Sequence, residues 1–173
     1  MNEYLFEKLR LRKLQSAAYD IVSEQFRGMV DKGGQPYEYH CLRVAEAVEQ
    51  SFSEQPGAFQ IKCIIAAVLH DIIEDTSITK EDLLHKGFDK DIVEAVDAVS
   101  RRKGESYFDF VKRCKENEIA RTVKRYDLED NMDIRRLTKF GDYEQKRLKK
   151  YWYSWMFIKD EIDEIEYHKQ ISK

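Results

Sequence analysis

Apolar residues recur every three or four positions along most of the chain, which is the spacing of one face of an α-helix. The spacing is clear where Ile61, Ile64, Ile65 and Val68 follow one another. Glycines and prolines interrupt the pattern at a few places, of which the stretch GGQP at residues 33–36 is one. The pattern predicts seven or eight helices and indicates no sheet. Their approximate spans are 3–31, 38–52, 58–76, 79–86, 89–100, 106–117, 118–137 and 142–168.

Local signals support several of these boundaries. Thr79 with Asp82 three residues later has the form of a helix start, and Gly87 has the form of its end. The stretch SEQPG at residues 53–57 predicts a turn, and the first span can hold one helix or two. No repeat or linker divides the 173 residues, so we expect a single all-α domain over residues 1–173.

The last predicted helix, 142–168, contains both tryptophans of the chain. Its apolar positions at helical spacing are Leu148, Tyr151 or Trp152, Trp155, Ile158, Ile162 and Ile165. An aromatic box that binds a cofactor is one interpretation, but a stripe that faces the core is favoured. We therefore expect this helix to pack on the rest of the domain.

Composition narrows the class of partner. Charged residues make up 36% of the chain, but acids and bases are mixed and the net charge is −3. This balance indicates neither a nucleic acid nor a membrane surface as partner. The cysteines Cys41, Cys63 and Cys114 form no paired motif, which predicts free thiols in the cytoplasm. The N-terminus lacks the apolar core of a signal peptide, and the run Cys63–Leu69 is too short to cross a bilayer.

The stretch LHDIIEDT, residues 69–76, places four ionisable side chains in an otherwise apolar helical segment. Neighbouring side chains on a helix point about 100° apart, so His70 and Asp71 can converge on one ion beside it. Glu74 and Asp75 each lie four residues after one of these two, on nearly the same face. Two ligands with two acids one turn away suit a cation and its bound water. The alternative for the two acids is a solvated helix end.

Two other segments offer further ligands for such an ion. His40 lies at a predicted helix start in PYEYHCLRVAEAV, and Asp127 lies in VKRYDLEDNMD, followed four residues later by Asn131. With His70 and Asp71 they provide two imidazoles and two carboxylates, a set that suits Mn²⁺, Fe²⁺ or Zn²⁺. The alternative is that each His is an ordinary structural residue.

The stretches GGQPYEYH, AAVLHDIIEDT and VKRYDLEDNMD resemble the signature segments of the HD-domain phosphohydrolases. More closely, they resemble those of the alarmone hydrolases, which form half of the bifunctional stringent-response enzymes and also occur as small stand-alone proteins. The resemblance covers about residues 17–137 and suits a stand-alone hydrolase. It implies an all-helical HD-domain fold with a metal-centred cleft and one divalent metal, usually manganese. It also implies removal of the 3′-pyrophosphate from (p)ppGpp.

Carried to this chain, the resemblance implies a metal site with an acidic pair beside it. The implied metal ligands are His40, His70, Asp71 and Asp127. Glu74 and Asp75 match the pair that places or deprotonates the attacking water. Asn131 matches an Asn next to the substrate, although an Asn near a helix end can also be a cap.

The chain departs from the family in segments that choose the substrate. Before its first ligand His the family usually has a stretch like HxGQxRKxGxPY, and this chain has FRGMVDKGGQPY. Phe26, Met29 and Asp31 occupy the His, Gln and Arg positions. Because that Arg stacks on guanine in the family, an acid at Asp31 cannot replace it, whereas Arg27 or Lys32 could. The other departures are Cys41 in place of Pro, and Leu128, Glu129 and Asp130 in place of Arg-Leu-His.

An anionic substrate needs cations besides the metal. Lys124 lies three residues before Asp127 and therefore shares roughly the face of that ligand. The run Arg101–Lys103 is another candidate, for which a solvated loop is the alternative. Tyr37 lies close to His40 in the sequence and either lines the pocket or simply packs.

We therefore expect a cytoplasmic metal-dependent phosphohydrolase that acts on a small nucleotide, with (p)ppGpp as the first candidate. Other reactions on the same scaffold are hydrolysis of a nucleoside monophosphate or of the 2′-phosphate of NADPH. Two rivals are not enzymes: an HD module that only binds a nucleotide or a protein, and a structural helical protein without a metal. The acidic pair of Glu74 and Asp75 favours the enzyme, since neither rival needs it.

Overall fold

The computed structural model describes residues 2–31, 33–52 and 57–171. Within these ranges all regular secondary structure is helical, apart from one isolated β-bridge between Val30 and Pro36. The described helices are α1 (Glu3–Gln25), α2 (Glu38–Gln50), α3 (Ala58–Leu69), α4 (Ile72–Asp75), α5 (Lys80–His85), α6 (Lys90–Val99), α7 (Tyr107–Glu116), α8 (Glu118–Asn131), α9 (Asp142–Ile158) and α10 (Glu164–Ile171), with a 3₁₀ helix at Ile134–Arg136. The predicted all-α class is confirmed. Lys32 and most of the turn predicted at residues 53–57 lie outside the described residues.

Helix α3 lies at the centre of the core. It contacts α1, α2, α6 and α8, and every residue from Cys63 to Leu69 is buried, Ile64 and Val68 completely. A helix that is apolar on every side is stable only where neighbouring elements surround it. The amphipathic neighbours supply this cover through residues such as Val44 of α2, Val96 of α6 and Val123 of α8. The fold is therefore a layer of helices around one buried helix.

The predicted helix 58–76 is interrupted at His70 and Asp71. Helix α3 ends at Leu69, and Asp71 has φ −97° and ψ 0° before α4 begins at Ile72. The His70 ring bonds through Nδ1 to the carbonyl of Ala67 at 2.8 Å. A continuous helix would use that carbonyl for the amide of Asp71, so the side chain competes with the helical ladder. No glycine or proline marks the break, which is why the spacing of apolar residues missed it.

Three other helix ends also differ from the prediction. The span 3–31 ends at Gln25, and Gly28 then takes a φ of 81°. The span 118–137 ends at Asn131. The span 142–168 is two helices, because Asp160 takes a φ of 63° between α9 and α10. The Asp160 carboxylate pairs with Lys115 at 2.7 Å and with Arg121, so contacts from α7 and α8 stabilise the break.

Helix α9 packs against α7 and α8, and α10 packs against α9. Ile158 of the predicted aromatic and aliphatic stripe is buried, but Trp152 is 48% exposed and Ile165 is 79% exposed. The buried positions of α9 include a charged residue, Arg147. The predicted stripe therefore faces the core only in part. Part of the buried face of α9 contacts a polar region of the protein.

Three smaller predictions can be compared with the structure. The cysteines are buried and free. Thr79 and Asp82 form the predicted reciprocal cap at the start of α5. No helix among the described residues is long and apolar enough to cross a membrane.

The packing of Phe26 leads to a prediction about stability. Its side chain is 1% exposed and its ring lies 4.9 Å from that of Tyr37. Phe26→Ala should lower the free energy of unfolding by about 3–5 kcal/mol, because it removes apolar burial and leaves a cavity. Phe6→Ala is the matched control, since Phe6 is 62% exposed, and should change stability by less than about 0.5 kcal/mol. Urea denaturation measures both, and equal losses would contradict the placement of Phe26.

Candidate metal centre and cleft

Three helices that pack on one another bring four predicted ligands together. Helices α2, α3 and α8 are mutually in contact. His40 lies in the first turn of α2, His70 and Asp71 lie in the break after α3, and Asp127 lies in the last half of α8. His40, His70 and Asp127 are buried. The apolar faces that pack the three helices thus also hold the polar groups in one place.

The ligand atoms of this cluster are close enough to share one ion. The two Nε2 atoms of His40 and His70 lie 3.2 Å apart. Asp127 Oδ1 lies 3.3 Å from His40 Nε2, and Asp71 Oδ2 lies 3.1 Å from His70 Nε2. Ligands about 2.1 Å from a cation are separated by roughly 3.0–3.4 Å in a tetrahedral or octahedral arrangement. The spacing is therefore that of a first coordination shell.

Both imidazoles are held in the tautomer that a metal needs. Nδ1 of His70 donates to the carbonyl of Ala67, and Nδ1 of His40 donates to Asp130 Oδ2 at 2.6 Å. Each Nε2 is therefore the ring nitrogen left to face the cluster. Burial by itself would lower the pKa of both rings, but the neighbouring carboxylates raise it, for His40 to about 9, so a bound cation would compete with a proton at Nε2. The residues present thus fit a divalent metal ion.

Asp127 is held by two neighbours on its own helix. Lys124 Nζ donates to Oδ2 at 2.7 Å, and Asn131 Nδ2 donates to Oδ1 at 2.6 Å. Burial by itself would raise the pKa of Asp127, but the Lys124 ammonium and the histidines hold it well below its usual range. Lys124 and Asn131, both predicted to bind substrate, thus contact the ligand Asp127 directly. Both also line the cleft above it.

The predicted acidic pair lies beside the ligand cluster. Glu74 Oε2 accepts a hydrogen bond from the amide of Arg101 at 2.7 Å. The hydroxyl of Tyr37 lies 2.8 Å from Asp75 Oδ2 and 2.8 Å from Asp71 Oδ2, so it links this acid to a ligand. Burial raises the pKa of both Glu74 and Asp75. A carboxylate with a raised pKa is a better proton acceptor near neutral pH.

Asp130 is a site residue that the sequence analysis treated only as a departure from the family. Its carboxylate accepts from His40 Nδ1, from Arg43 Nε at 2.7 Å and from Arg136. These partners outweigh burial and lower the pKa of Asp130 to about 2. The available signal was its position three residues after Asp127, which places both on one face of α8.

Asp31 lines the edge of the cleft, but its carboxylate is engaged in hydrogen bonds within the protein. Its side chain is 5% exposed. Oδ1 accepts from the amides of Gly33 and Gln35, at 2.8 and 3.0 Å, and Oδ2 accepts from Arg136 at 2.8 Å. Asp31 therefore shapes the loop before His40 and holds Arg136 at the edge of the cleft.

A cleft of about 430 Å³ opens above the ligand cluster, which is within the range of small-molecule sites. Its acidic floor faces walls with several cations. The cationic residues that line it are Arg101, Lys124, Arg136, Arg147 and Lys150.

Helix α9 contributes two cationic residues that the sequence analysis did not single out, together with Tyr151 of the predicted stripe. Arg147, Lys150 and Tyr151 line the cleft, and their spacing of three and four places them on one face. Arg147 is 8% exposed. Its Nε and the hydroxyl of Tyr107 are buried without a hydrogen-bond partner among the described residues. Buried donors without partners are rare, and they indicate a ligand with acceptor atoms.

The contact between Asp130 and His40 leads to a prediction about metal affinity. Asp130→Asn should weaken binding of Mn²⁺ or Zn²⁺ by about 10- to 100-fold, because the amide no longer holds the His40 tautomer as firmly. Asp133→Asn is the matched control. Among the described residues, Arg135 donates every hydrogen bond that the Asp133 side chain accepts. Isothermal titration of the metal into both variants measures the effect. An unchanged affinity in Asp130→Asn would contradict this role.

Two curated relatives, both named guanosine-3′,5′-bis(diphosphate) 3′-pyrophosphohydrolase, are similar to part of the chain. The protein of Borreliella burgdorferi is 32% identical over 92 residues, which are 52% of this chain and 12% of the relative. The protein of Vibrio cholerae is 32% identical over 99 residues, which are 57% of this chain and 13% of the relative. The chain thus spans only a small part of the length of these relatives.

A solved structure, described as a metazoan ortholog of SpoT that hydrolyzes ppGpp, has a similar fold. The TM-score is 0.66 at 19% sequence identity, and the match covers 92% of each chain. At this identity the likeness concerns the fold. A model of the HD domain family matches residues 18–137, which is well over half of the chain. The protein therefore belongs to the HD domain family.

Proposed function

We propose that this protein is a metal-dependent phosphohydrolase that removes the 3′-pyrophosphate from (p)ppGpp. The observation that carries the proposal is the cleft itself. On its floor, His40, His70 and Asp127 are close enough to hold a metal ion and Asp71 lies 3.1 Å from His70 Nε2, and on its wall lie buried donors of Arg147 and Tyr107 without partners among the described residues. The names of the similar proteins support the choice of substrate.

The proposed metal ligands are His40, His70, Asp71 and Asp127, and the proposed ion is Mn²⁺. Fe²⁺ and Zn²⁺ suit the same set of two nitrogens and two oxygens. A divalent ion held there supplies positive charge that lowers the pKa of water and attracts phosphate oxygens. Tyr37 supports the set from the side, because its hydroxyl lies 2.8 Å from Asp71 Oδ2.

Glu74 and Asp75 are the proposed proton acceptors for the attacking water. The amide of Arg101 fixes one oxygen of Glu74, so the other oxygen is oriented for the water. The raised pKa of the Glu74 carboxyl, caused by burial, favours uptake of a proton near neutral pH. Asp75 acts beside it through the hydrogen bond that it shares with Tyr37.

The phosphates of the substrate are proposed to lie against α9. Arg147 Nε and the Tyr107 hydroxyl gain acceptors when a phosphate oxygen lies between them, and guanidinium contacts to phosphate are among the stronger hydrogen bonds. Lys150 Nζ lies 4.1 Å from the centre of the Tyr107 ring, so its charge is close to the same place. Asn131 and Lys124 complete the wall on the side of Asp127.

A different nucleotide phosphate is the second candidate substrate. The loop before His40 has Asp31 where the family carries an Arg that stacks on guanine, and the carboxylate of that Asp accepts a hydrogen bond from Arg136 at the edge of the cleft. The base end of the site therefore differs from the pattern in the family. A nucleoside monophosphate or the 2′-phosphate of NADPH would use the same metal and acids.

An assay with a panel of substrates tests the proposed function. Purified protein loaded with Mn²⁺ is incubated with ppGpp, pppGpp, NADPH and nucleoside monophosphates. We expect release of pyrophosphate from ppGpp and pppGpp, and loss of this activity in the double variant His70→Ala/Asp71→Ala, which lacks two ligands. Phosphate release from another member of the panel would support the proposed metal-dependent mechanism but contradict (p)ppGpp as the substrate. No turnover of any member by metal-loaded protein would contradict the proposal.

Removal of the Arg147 guanidinium tests the phosphate wall. Arg147→Met should raise the KM for ppGpp by about 10- to 100-fold, since a hydrogen bond between charged groups contributes about 1.5–3 kcal/mol. Metal affinity should not change, because Arg147 contacts none of the four ligands. Lys146→Met is the matched control, as Lys146 is the preceding residue and is exposed. Steady-state kinetics of both variants decide the matter, and an equal KM in the two would contradict the role of Arg147.

A further inference from the structure

The loop at residues 100–105, between α6 and α7, reaches the site through its backbone. The amide of Arg101 donates to Glu74 Oε2 at 2.7 Å, and the Arg101 side chain lines the cleft. The loop itself, SRRKGE, contains no large apolar side chain that could pack it in place, and Gly104 takes a φ of 81°. Something else must therefore hold the Arg101 amide where Glu74 needs it.

Arg113 of α7 holds this loop with its whole guanidinium. Nε and Nη2 donate to the two carboxylate oxygens of Glu105, at 2.9 and 2.7 Å. The other N–H groups donate to the carbonyls of Asp97, Ala98 and Ser100, at 2.9, 2.9 and 3.0 Å. All five N–H donors of the side chain are thus used. Three of the acceptors are carbonyls at the end of α6, which the helix itself leaves without partners.

Glu105 extends the same contacts back along the loop. Its Oε2 also accepts from the amide of Arg102 at 3.0 Å, and its backbone carbonyl accepts from Arg101 Nη2 at 3.0 Å. The side chains of Arg113 and Glu105 are only 18% and 13% exposed. A two-bond ion pair with this little exposure orders the groups that it joins more firmly than an exposed pair does.

Neither Arg113 nor Glu105 lines the cleft. Their influence on the site passes through the backbone of residues 100–105 and ends at the hydrogen bond between the Arg101 amide and Glu74. A carboxylate without that hydrogen bond is free to rotate away from the position of the water. Small errors in the placement of a reacting group lower rates substantially.

We propose that the Arg113–Glu105 pair is a positioning device for Glu74, which acts by fixing the Arg101 amide. This inference rests on the proposed function, because it assigns Glu74 to the chemical step. It predicts that weakening the pair lowers kcat while the ligand cluster and the phosphate wall stay intact. A pair that merely joins α6 to α7 would lower stability alone.

The first test measures the Arg101 amide without using activity. Amide hydrogen exchange is followed by NMR in the Zn²⁺-loaded protein, which is diamagnetic. We expect exchange at Arg101 to be at least about tenfold faster in Glu105→Gln than in the wild-type protein. Glu74→Gln should also speed it, because a neutral acceptor bonds the amide less strongly. The control Glu94→Gln changes an exposed residue of α6 whose carboxylate pairs with Lys90. Unchanged exchange in Glu105→Gln would overturn the proposal.

The second test is a double-mutant cycle on kcat for the substrate identified in the panel assay. Glu105→Gln should lower kcat by about 10- to 100-fold with little change in KM. In the Glu74→Gln background the same change should have no further effect, since the group that it positions is already altered. An equal loss of kcat with and without Glu74 would overturn the proposal.

Folding and function are separated by the choice of variants. Glu105→Gln keeps the shape of the side chain, and Arg113→Lys is a second variant that keeps the charge but removes most of the five hydrogen bonds. Thermal melting and metal titration identify any variant that has lost its fold, and kcat is interpreted only for folded protein. If the wild-type protein hydrolyses no member of the panel, the proposed function fails, while the exchange rate of the Arg101 amide still decides whether the pair positions it.

Discussion

The structure depends on how two imidazole nitrogens and two carboxylates are kept close together inside a helical core. His40 Nε2 and His70 Nε2 lie 3.2 Å apart, and the acids lie on either side. Burying so many ionisable groups is costly unless each is paired, because charged groups lose their hydration in a region of low dielectric. The surrounding structure therefore has to supply a partner for each group and to hold all four where one ion could bind.

Four sets of hydrogen bonds around the cluster supply these partners. Asp130 orients His40, the carbonyl of Ala67 orients His70, Lys124 neutralises Asp127, and Tyr37 links Asp71 to Asp75. Each partner belongs to one of the helices or loops that meet around α3. The apolar packing of α2, α3 and α8 and the polar geometry of the site are therefore parts of the same arrangement, and a shift of one helix would disturb both.

Charge is arranged in layers from the floor of the cleft to its walls. Acids lie at the bottom around the proposed cation site, and cations from α8, α9 and the 100–105 loop line the sides. This order suits an anion that places one phosphate at the metal and others against the walls. Arg147 shows the arrangement most clearly, since its Nε is buried in α9 without a partner among the described residues. The Arg113–Glu105 pair lies behind this wall and keeps the loop in place.

The sequence by itself determined the helical class and most helix positions and singled out the four proposed metal ligands, because periodicity and motif spacing act over short distances. It also placed Glu74 and Asp75 near the ligands, as side chains one turn apart share a face. Only the tertiary structure decided which groups support them. The hydrogen bond between Asp130 and His40, the contact between Asp31 and Arg136, and the place of Arg147 in the cleft arise from segments far apart in the chain. No local pattern encodes such contacts, since they depend on how the helices pack around α3.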